Sequence, residues 1–488
     1  MLLTAMTASD DTPPTDHDTL MDDRIGDGAK QYLAGTHRVV DPVATLARVL
    51  PMAPRMGITR IAVLTGLDVL GIPVVAAIRP NSRSIAVHQG KGVTLAAAKA
   101  SAVMEAVETF HAETMTVNLR LAAHHELTDA VDPTILPRAT GRVLGDARIL
   151  WVEAQDLMAG GRLFVPHELV TADYTHPAPA GAGLFQATTN GLASGNHWLE
   201  AVLHGLYEVV ERDAIALWRA VGETARAASA VALDTVDGTV SQGLLARYRA
   251  AEVSLRIWDV TSDIGLPCFV ALAVAPDAID GVEPELGSGC HADRDIALSR
   301  ALSEAAQARL TRISGARDDF APEGYADVAR AERLEVAGRW LLPPGRRDFC
   351  RAPSCAGPTL RHDLDAALTR LRAAGLHQVA YVDLTRPEFG IPVARVIVPG
   401  LEGPWTPPGG DYTPGARTQT RQQKPPPEQK TLPLPLRQGV GGTGSYPGRT
   451  EAGGASPPPP IPLHQVKEKN RPPAPPNPDP HHKRARPR

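Results

Sequence analysis

The chain has 488 residues, a formal net charge of −4 and four cysteines. No apolar run reaches the about 18 residues that a transmembrane helix needs, and four cysteines are too few for a disulfide framework. The acidic N-terminus lacks the basic start and long apolar stretch of a signal peptide. We therefore expect a cytoplasmic protein without a membrane partner.

The sequence divides into three regions. Residues 1–27 form an acidic tail that we predict to be disordered, and residues 28–417 form one folded domain. In this domain, short β-branched runs such as PVVAAIR and CFVALAV alternate with long helical patterns rich in Ala and Leu. This alternation predicts an α/β domain of mixed α+β type, in which sheets carry the helices. Residues 318–351 are predicted to be peripheral helix and loop.

The first long predicted helix follows a glycine-rich turn, GKG, that ends at Gly92. Ser101, Glu105 and Glu108 are spaced i, i+4 and i+7 on this helix, so they share a face. The turn is not a P-loop, because GxxxxGK[ST] would need Gly in place of Ile85 and a hydroxyl residue in place of Gly92. A Rossmann dinucleotide site is not indicated either, since no GxGxxG follows a strand.

The second long predicted helix, residues 196–212, places three carboxylates on one side. At about 100° per residue, Glu200, Glu208 and Glu211 fall within about 80° of one another. The residues between them are mostly apolar, whereas a solvated helix would carry Lys or Arg at i+4. Such carboxylates repel one another unless a cation joins them, and Mg²⁺ prefers oxygen ligands and often shares them with nucleotide phosphates.

A third segment repeats this plan. Ser288 and Gly289 lead into a helical pattern that carries Glu304, Gln307 and Arg309. All three helices are rich in small residues and follow a glycine turn, and each contains E-x-x-E or E-x-x-Q. We interpret them as a diverged internal repeat of strand–turn–helix units.

The composition changes abruptly at residue 418. Residues 418–488 contain 12 Lys and Arg, 4 Asp and Glu, and 18 Pro. Such a segment cannot bury a core and is predicted to be disordered. We interpret it as an unselected extension, for example from a shifted reading frame, rather than as a docking arm or a nucleic-acid contact. No nucleic-acid partner is therefore expected.

Four stretches together resemble the YcaO-domain family: GITRIAVLTGLDVLGIPVVAAIRPNSRSIAVHQGKG, KASAVMEAVE, TTNGLASGNHWLEAVLHGLYEVVERDAIALW and PELGSGCHADRDIALSRALSEAAQAR. The resemblance covers roughly residues 28–417. It implies a YcaO-type ATP-binding fold, unlike that of kinases or P-loop enzymes. It also implies ATP and Mg²⁺ as cofactors, used to activate a backbone amide.

The resemblance further implies roles for individual residues. Glutamates from two helices would hold the metal ions, and they are Glu105, Glu108, Glu200, Glu208 and Glu211. The nucleotide and its phosphates would contact a second set, formed by Arg38, Thr45, Ser101, Asn196, Arg212, Gln307 and Arg309. Arg38 and Thr45 stand where some members carry Lys and Ser. Arg212 and Arg309 are the candidate catalytic residues, since arginine is a bidentate donor suited to phosphate.

Family members differ in the nucleophile that attacks the amide. Residues 57–83 resemble the branch associated with TfuA proteins, so we expect thioamide formation on a peptide or protein substrate with a TfuA-like partner. We also expect a homodimer. An azoline-forming cyclodehydratase of ribosomal peptides is the alternative. Such members often end in a P-x-P-x-P sequence, whereas this sequence ends in HHKRARPR.

Two further classes stay open. The carboxylates could serve a nucleotide-independent metal enzyme, with His197 or His204 as a nitrogen ligand, although ferritin-like sites use a Glu-x-x-His pair. The chain could also be a non-catalytic partner that retains the fold and binds a peptide. ADP production that is lost in Glu208→Ala or Glu211→Ala separates the enzyme from both.

Overall fold

The structure is a computed structural model that describes residues 26–179, 181–275, 284–315, 327–342, 344–404 and 412–423. The predicted tails before residue 26 and after residue 423 lie outside the described residues. The described α-helices are α1 (Pro42–Val49), α2 (Leu95–Glu113), α3 (Trp198–Ala220), α4 (Glu223–Ala228), α5 (Thr239–Ala250), α6 (Arg294–Ser314), α7 (Asp327–Leu341), α8 (Leu360–Ala373) and α9 (Ala416–Gln423).

The strands form antiparallel sheets. They are β1 (Arg60–Val63), β2 (Val74–Ile78), β3 (Val87–Lys91), β4 (Leu119–Ala122), β5 (Arg138–Ala139), β6 (Ile149–Asp156), β7 (Arg162–Pro166), β8 (Leu192–Ser194), β9 (Ser254–Asp259), β10 (Cys268–Val274), β11 (Glu285–Cys290), β12 (Ala380–Asp383), β13 (Val393–Ile397) and β14 (Tyr412–Thr413). Two three-stranded sheets have the orders β1-β2-β3 and β11-β10-β9. The six-stranded sheet has the order β4-β6-β12-β13-β8, with β7 beside β6, and β14 pairs with β5.

Helices and sheets alternate through the domain. Helix α2 packs between β2 and one face of the six-stranded sheet. Helix α3 packs between the other face of that sheet and β10, and α6 packs on the opposite face of β9 and β10. Leu310 of α6 returns to the first sheet, where it is buried with Val74 and Ala76. The three sheets and three helices therefore close into a ring.

Each of these three helices follows a strand, which confirms the predicted strand–turn–helix repeat and the mixed α+β class: β3 precedes α2, β8 precedes α3, and β11 precedes α6. Some residues of the predicted glycine turns belong to strands in the structure, such as Gly90 in β3 and Gly289 in β11. A Cβ on Gly90 would lie 2.0 Å from the backbone nitrogen of Ala102, and one on Gly287 would lie 2.1 Å from that of Ala305. Glycine is required here because strand and helix backbones touch.

The predicted start of the tail at residue 418 falls inside α9. There, the backbone N–H of Thr418 donates to Glu402 Oε1 at 2.8 Å, and Arg417 forms an ion pair with Asp213 at 2.9 Å. Packing therefore continues beyond the composition break. Among the described residues, no helix is both long and apolar enough to cross a bilayer.

Candidate active site

Helices α2, α3 and α6 face a common cavity of about 820 Å³. All predicted site residues except Arg309 line it, namely Arg38, Thr45, Ser101, Glu105, Glu108, Asn196, Glu200, Glu208, Glu211, Arg212 and Gln307. The cavity is also lined by residues outside the predicted metal and nucleotide sets, among them Lys91, His204, Arg300 and Glu304. The cavity thus brings together carboxylates from three helices with several basic side chains.

Glu108 is the buried carboxylate of α2. Its Oε1 accepts hydrogen bonds from the backbone nitrogen of Ser194 at 2.8 Å and from its hydroxyl at 2.7 Å. Burial raises the pKa of Glu108 to about 8 against the effect of these bonds, and the charges of Glu105 and Glu208 add to the rise. Without a cation, this carboxylate resists ionisation near neutral pH.

Helix α3 contributes a carboxylate pair with an arginine. Arg212 Nη2 lies 3.5 Å from Glu208 Oε1, and Arg212 Nη1 lies 3.5 Å from Glu211 Oε1. Burial raises the pKa of Glu208, although Arg212 opposes this rise. Burial alone would lower the pKa of Arg212, but Glu211 and Glu208 raise it. Glu211 also accepts from the Ser288 hydroxyl at 2.7 Å.

The α6 side of the cavity carries its own cation. Lys91 Nζ, at the end of β3, lies 2.6 Å from Glu304 Oε2. Burial would raise the pKa of Glu304, but Lys91, Arg212 and Arg300 lower it to about 2. Gln307, one turn further on, donates from Nε2 to the Gln89 carbonyl at 2.9 Å. Its buried Oε1 has no hydrogen-bond partner among the described residues.

Glu200 lines the cavity, but both oxygens of its carboxylate accept hydrogen bonds from backbone N–H groups. Its Oε1 accepts from the backbone nitrogen of Val39 at 2.6 Å, and its Oε2 accepts from that of Asn196 at 2.8 Å. Arg38 Nη1 lies 3.8 Å from the same carboxylate. Asn196 Nδ2 in turn donates to Thr45 Oγ1 at 2.9 Å. These contacts pin the segment before α1 against α3.

Arg309, which the sequence predicted to contact the nucleotide, lies outside the cavity. Its side chain is fully buried and binds the carboxylate of Asp68, with Nε 3.0 Å and Nη2 2.8 Å from the two oxygens. Arg300 of the same helix lines the cavity instead. The sequence carries a signal for it: Arg300 precedes Glu304 by one turn, so both point the same way.

Arg300 contacts a neutral partner. Its Nη2 lies 3.0 Å from His204 Nε2, and burial lowers the pKa of His204 well below its usual 6.5. The buried Nε of Arg300 has no partner in the described part of the chain. A guanidinium so placed suits an anion such as phosphate. His197, the other candidate metal ligand, caps α3 by accepting from Leu199 N.

The donor set suits Mg²⁺ bound together with a polyphosphate. Over the described ranges, no three His, Cys, Asp or Glu side chains lie close enough together to hold a metal ion by themselves. Mg²⁺ characteristically takes one or two carboxylates and completes its shell with water and phosphate oxygens.

Comparison with known proteins places the chain in a family. Residues 89–402 match the family model described as YcaO cyclodehydratase, ATP- and Mg²⁺-binding. The chain belongs to this YcaO family of ATP-binding enzymes. The predicted family and cofactors, ATP and Mg²⁺, are thereby confirmed.

Individual relatives agree with this assignment. An uncharacterized protein in the tfuA 3′ region of Rhizobium leguminosarum bv. trifolii is 37% identical over 399 residues, which cover 80% of this chain and 94% of that protein. YcaO from Methanopyrus kandleri, solved with AMPPCP and Mg²⁺, matches with a TM-score of 0.62 and 27% identity over 77% of this chain and 95% of that one.

A heterocyclase solved in complex with substrate and cofactor matches with a TM-score of 0.64 and 25% identity over 77% of this chain. The chain spans about half the length of that heterocyclase, 54%. The longer protein therefore contains more than this chain matches.

Proposed function

We propose that this enzyme uses ATP and Mg²⁺ to activate a backbone amide of a peptide or protein. The observation that carries the proposal is the cavity in which carboxylates from α2, α3 and α6 face Lys91, Arg212 and Arg300. Alternating charge of this kind suits phosphoryl transfer, where catalysis rests on positioning and on neutralising charge. Family membership supports the same reaction class.

The residues divide by what each could hold. Glu105, Glu108, Glu208 and Glu211 would hold the metal ions, while Arg38, Thr45, Ser101, Asn196 and Gln307 would hold the nucleotide. When bound, ATP would supply the phosphoryl group that makes the amide oxygen a leaving group, and Mg²⁺ would neutralise the phosphates. Arg212 and Arg300 would stabilise the charge that develops on that oxygen and on the departing phosphate.

We propose thioamide formation as the specific reaction, with a TfuA-like partner. The relative in the tfuA 3′ region supports this choice. The reaction balances as backbone amide, hydrosulfide and ATP giving thioamide, ADP and phosphate: a C–S bond replaces the C–O bond, and the oxygen leaves on phosphate. We expect the sulfur to come from outside this chain's own thiols, because none of its four cysteines lines the cavity.

The cysteines provide a direct test of the sulfur source. Replacing Cys268, Cys290, Cys350 and Cys355 by Ala should leave the rate of thioamide formation unchanged at a fixed hydrosulfide concentration. Circular dichroism checks that the variant folds, since Cys268 and Cys290 are fully buried. Loss of sulfur transfer with ADP production intact would show instead that a thiol of this chain carries the sulfur.

Product mass identifies the reaction. The purified protein is incubated with ATP, Mg²⁺, sodium hydrosulfide and a peptide encoded beside its gene, with and without a co-purified TfuA-like protein. We expect a mass gain equal to exchange of one oxygen for one sulfur, together with ADP. Peptide that stays unmodified under all these conditions, with no ADP formed, would overturn amide activation.

Azoline formation is the second candidate, favoured by the similarity to a heterocyclase bound to substrate and cofactor. In that reaction a Cys, Ser or Thr side chain of the substrate attacks its own backbone, so the product loses the mass of one water. The same incubation without hydrosulfide distinguishes the two, because ring closure needs no external nucleophile. The homodimer and the cytoplasmic location remain predictions.

A further inference from the structure

The three strand–turn–helix units are linked through polar side chains at the strands. Ser194 ends β8, and its hydroxyl donates to Glu108 of α2 at 2.7 Å. Ser288 lies in β11, and its hydroxyl donates to Glu211 of α3 at the same distance. In both cases the carboxylate belongs to the unit that precedes the serine along the chain.

A third contact closes this series. Lys91 ends β3 in the first unit, and it binds Glu304 on α6 of the third unit at 2.6 Å. The hydrogen bond from Gln307 to the Gln89 carbonyl joins the same two elements. Each unit therefore extends a strand residue to a carboxylate of the preceding unit, and the order is cyclic. These polar contacts at the cavity wall therefore follow the same cyclic order as the sheets and helices in the core.

The two serine contacts are built to fix a carboxylate without neutralising it. Ser194 and Ser288 are 4% and 6% exposed, so they do not exchange these bonds for water. Glu108 and Glu211 each receive the hydroxyl on Oε1. The other oxygen of each carboxylate is then the one that can bind an ion, and its direction is set because the first is held.

We propose that Ser194 and Ser288 are positioning residues that orient Glu108 and Glu211 toward Mg²⁺, whereas Lys91 takes the place of a metal ion at Glu304. The inference rests on the proposed nucleotide site and extends it. A strand serine orients the carboxylate that it faces, whereas the strand lysine neutralises its own; Glu211 lies in addition 3.5 Å from Arg212. Hydrogen bonds to ligating carboxylates affect metal affinity in this way in many metal sites.

Binding of AMPPCP by the full chain, measured calorimetrically at increasing Mg²⁺ concentration, tests the proposal. Ser194→Ala and Ser288→Ala should each raise the Mg²⁺ concentration needed for half-maximal binding by about tenfold. Ser241→Ala is the matched control. Ser241 is fully buried, and its backbone nitrogen and hydroxyl donate to the carboxylate of Asp295, outside the cavity. This variant should keep the wild-type Mg²⁺ requirement.

The outcomes separate the inference from the function on which it rests. Wild-type protein that takes up no AMPPCP with Mg²⁺ would refute the nucleotide site itself. If the wild type binds, and Ser194→Ala and Ser288→Ala bind with an unchanged Mg²⁺ requirement, the positioning role alone is refuted. Thermal melts show whether each variant folds. Should Ser194→Ala fail to fold, the result for Ser288→Ala decides the question.

Discussion

The α2 and α6 sides of the cavity present similar carboxylates in opposite states. Glu108 on α2 accepts from the Ser194 hydroxyl at 2.7 Å, and Glu304 on α6 lies 3.1 Å from the Ser288 hydroxyl, which is closer to Glu211 at 2.7 Å. The pKa of Glu108 is raised to about 8, whereas that of Glu304 is lowered to about 2. The difference lies in Lys91, which contacts Glu304, whereas no lysine or arginine of the described residues forms an ion pair with Glu108.

This difference shows what burial demands of a carboxylate. On α6 the chain supplies the compensating charge, so Glu304 is ionised in the protein alone. On α2 no basic side chain among the described residues forms an ion pair with Glu108, and its ionisation is therefore linked to the arrival of a cation. The α2 side is where we expect bound Mg²⁺ to change the protein most.

The largest effect on activity is expected at the carboxylates that we propose as metal ligands. Glu211→Gln should reduce ADP formation by about 1,000-fold, because it removes a charge that acts directly on the phosphates or their ions. Production of ADP from ATP and peptide, followed by chromatography, measures the loss. Glu153→Gln, at a half-exposed position on β6, is the control. Near-normal turnover by Glu211→Gln would show that this carboxylate of α3 does not take part in the reaction.

The next effect separates the roles of Arg300 and Arg309, which both lie on α6. Arg309→Met should lower the free energy of unfolding by about 3 kcal/mol, because it leaves the buried carboxylate of Asp68 unpaired. Arg300→Met should keep most of the stability and weaken AMPPCP binding instead. Denaturant titration and calorimetry on both variants give the comparison. If Arg309→Met weakened AMPPCP binding and Arg300→Met lowered stability, Arg309 rather than Arg300 would be the nucleotide contact.

Replacing Lys91 should leave Glu304 on α6 without its ion-pair partner, so that it resembles Glu108 on α2. Lys91→Met should weaken binding of AMPPCP with Mg²⁺ by about 30-fold, since Glu304 then repels the phosphates. Adding Glu304→Gln should recover most of that loss, with a coupling free energy of about 2 kcal/mol. Calorimetry on the two single variants and the double variant completes the cycle. Additive losses would show that the pair does not act as a unit.

The pH dependence of stability and of Mg²⁺ affinity should reflect the ionisation of Glu108 on α2. Because the folded pKa of Glu108 lies near 8, above its usual 4.5, the metal-free folded state holds a proton that the unfolded chain releases. Metal-free stability should therefore fall as pH rises from 4.5 toward 8. The affinity for Mg²⁺ with AMPPCP should rise as Glu108 ionises, by about tenfold from about pH 7 to about pH 9.

Glu108→Gln is the control for this titration. It keeps an oxygen for Ser194 but cannot ionise, so thermal stability of the metal-free protein should lose its fall toward pH 8. Its affinity for Mg²⁺ should be low at every pH. A wild-type protein whose Mg²⁺ affinity is flat from pH 6 to 9 would show that Glu108 does not ionise on binding.

Much of this site could be predicted from the sequence, because helical periodicity fixes which residues share a face. Glu105, Glu108, Glu208 and Glu211 meet in the cavity for that reason. The same periodicity includes Glu200, whose role depends on the backbone of Val39, 161 residues away. Periodicity cannot show that a carboxylate on the correct face is already engaged by backbone amides.

The errors on α6 have related causes. The family resemblance implied a nucleotide contact for Arg309 as well as for Gln307, yet two residues along a helix differ by about 200° in direction. Its partner, Asp68, is 241 positions away in the chain. Lys91 stood out only as part of a glycine-rich turn, because its contact with Glu304 depends on how the first and third units meet. Such closure of the ring is a property of tertiary packing.

The most direct test of the account is a calorimetric titration of the wild-type protein with AMPPCP, in Mg²⁺ and again in EDTA. We predict saturable binding in Mg²⁺ and its near loss in EDTA, with proton release at pH 7 as Glu108 ionises. Absence of binding in Mg²⁺, or equal binding in both buffers without proton release, would contradict the claim that these carboxylates converge on a nucleotide-bound cation.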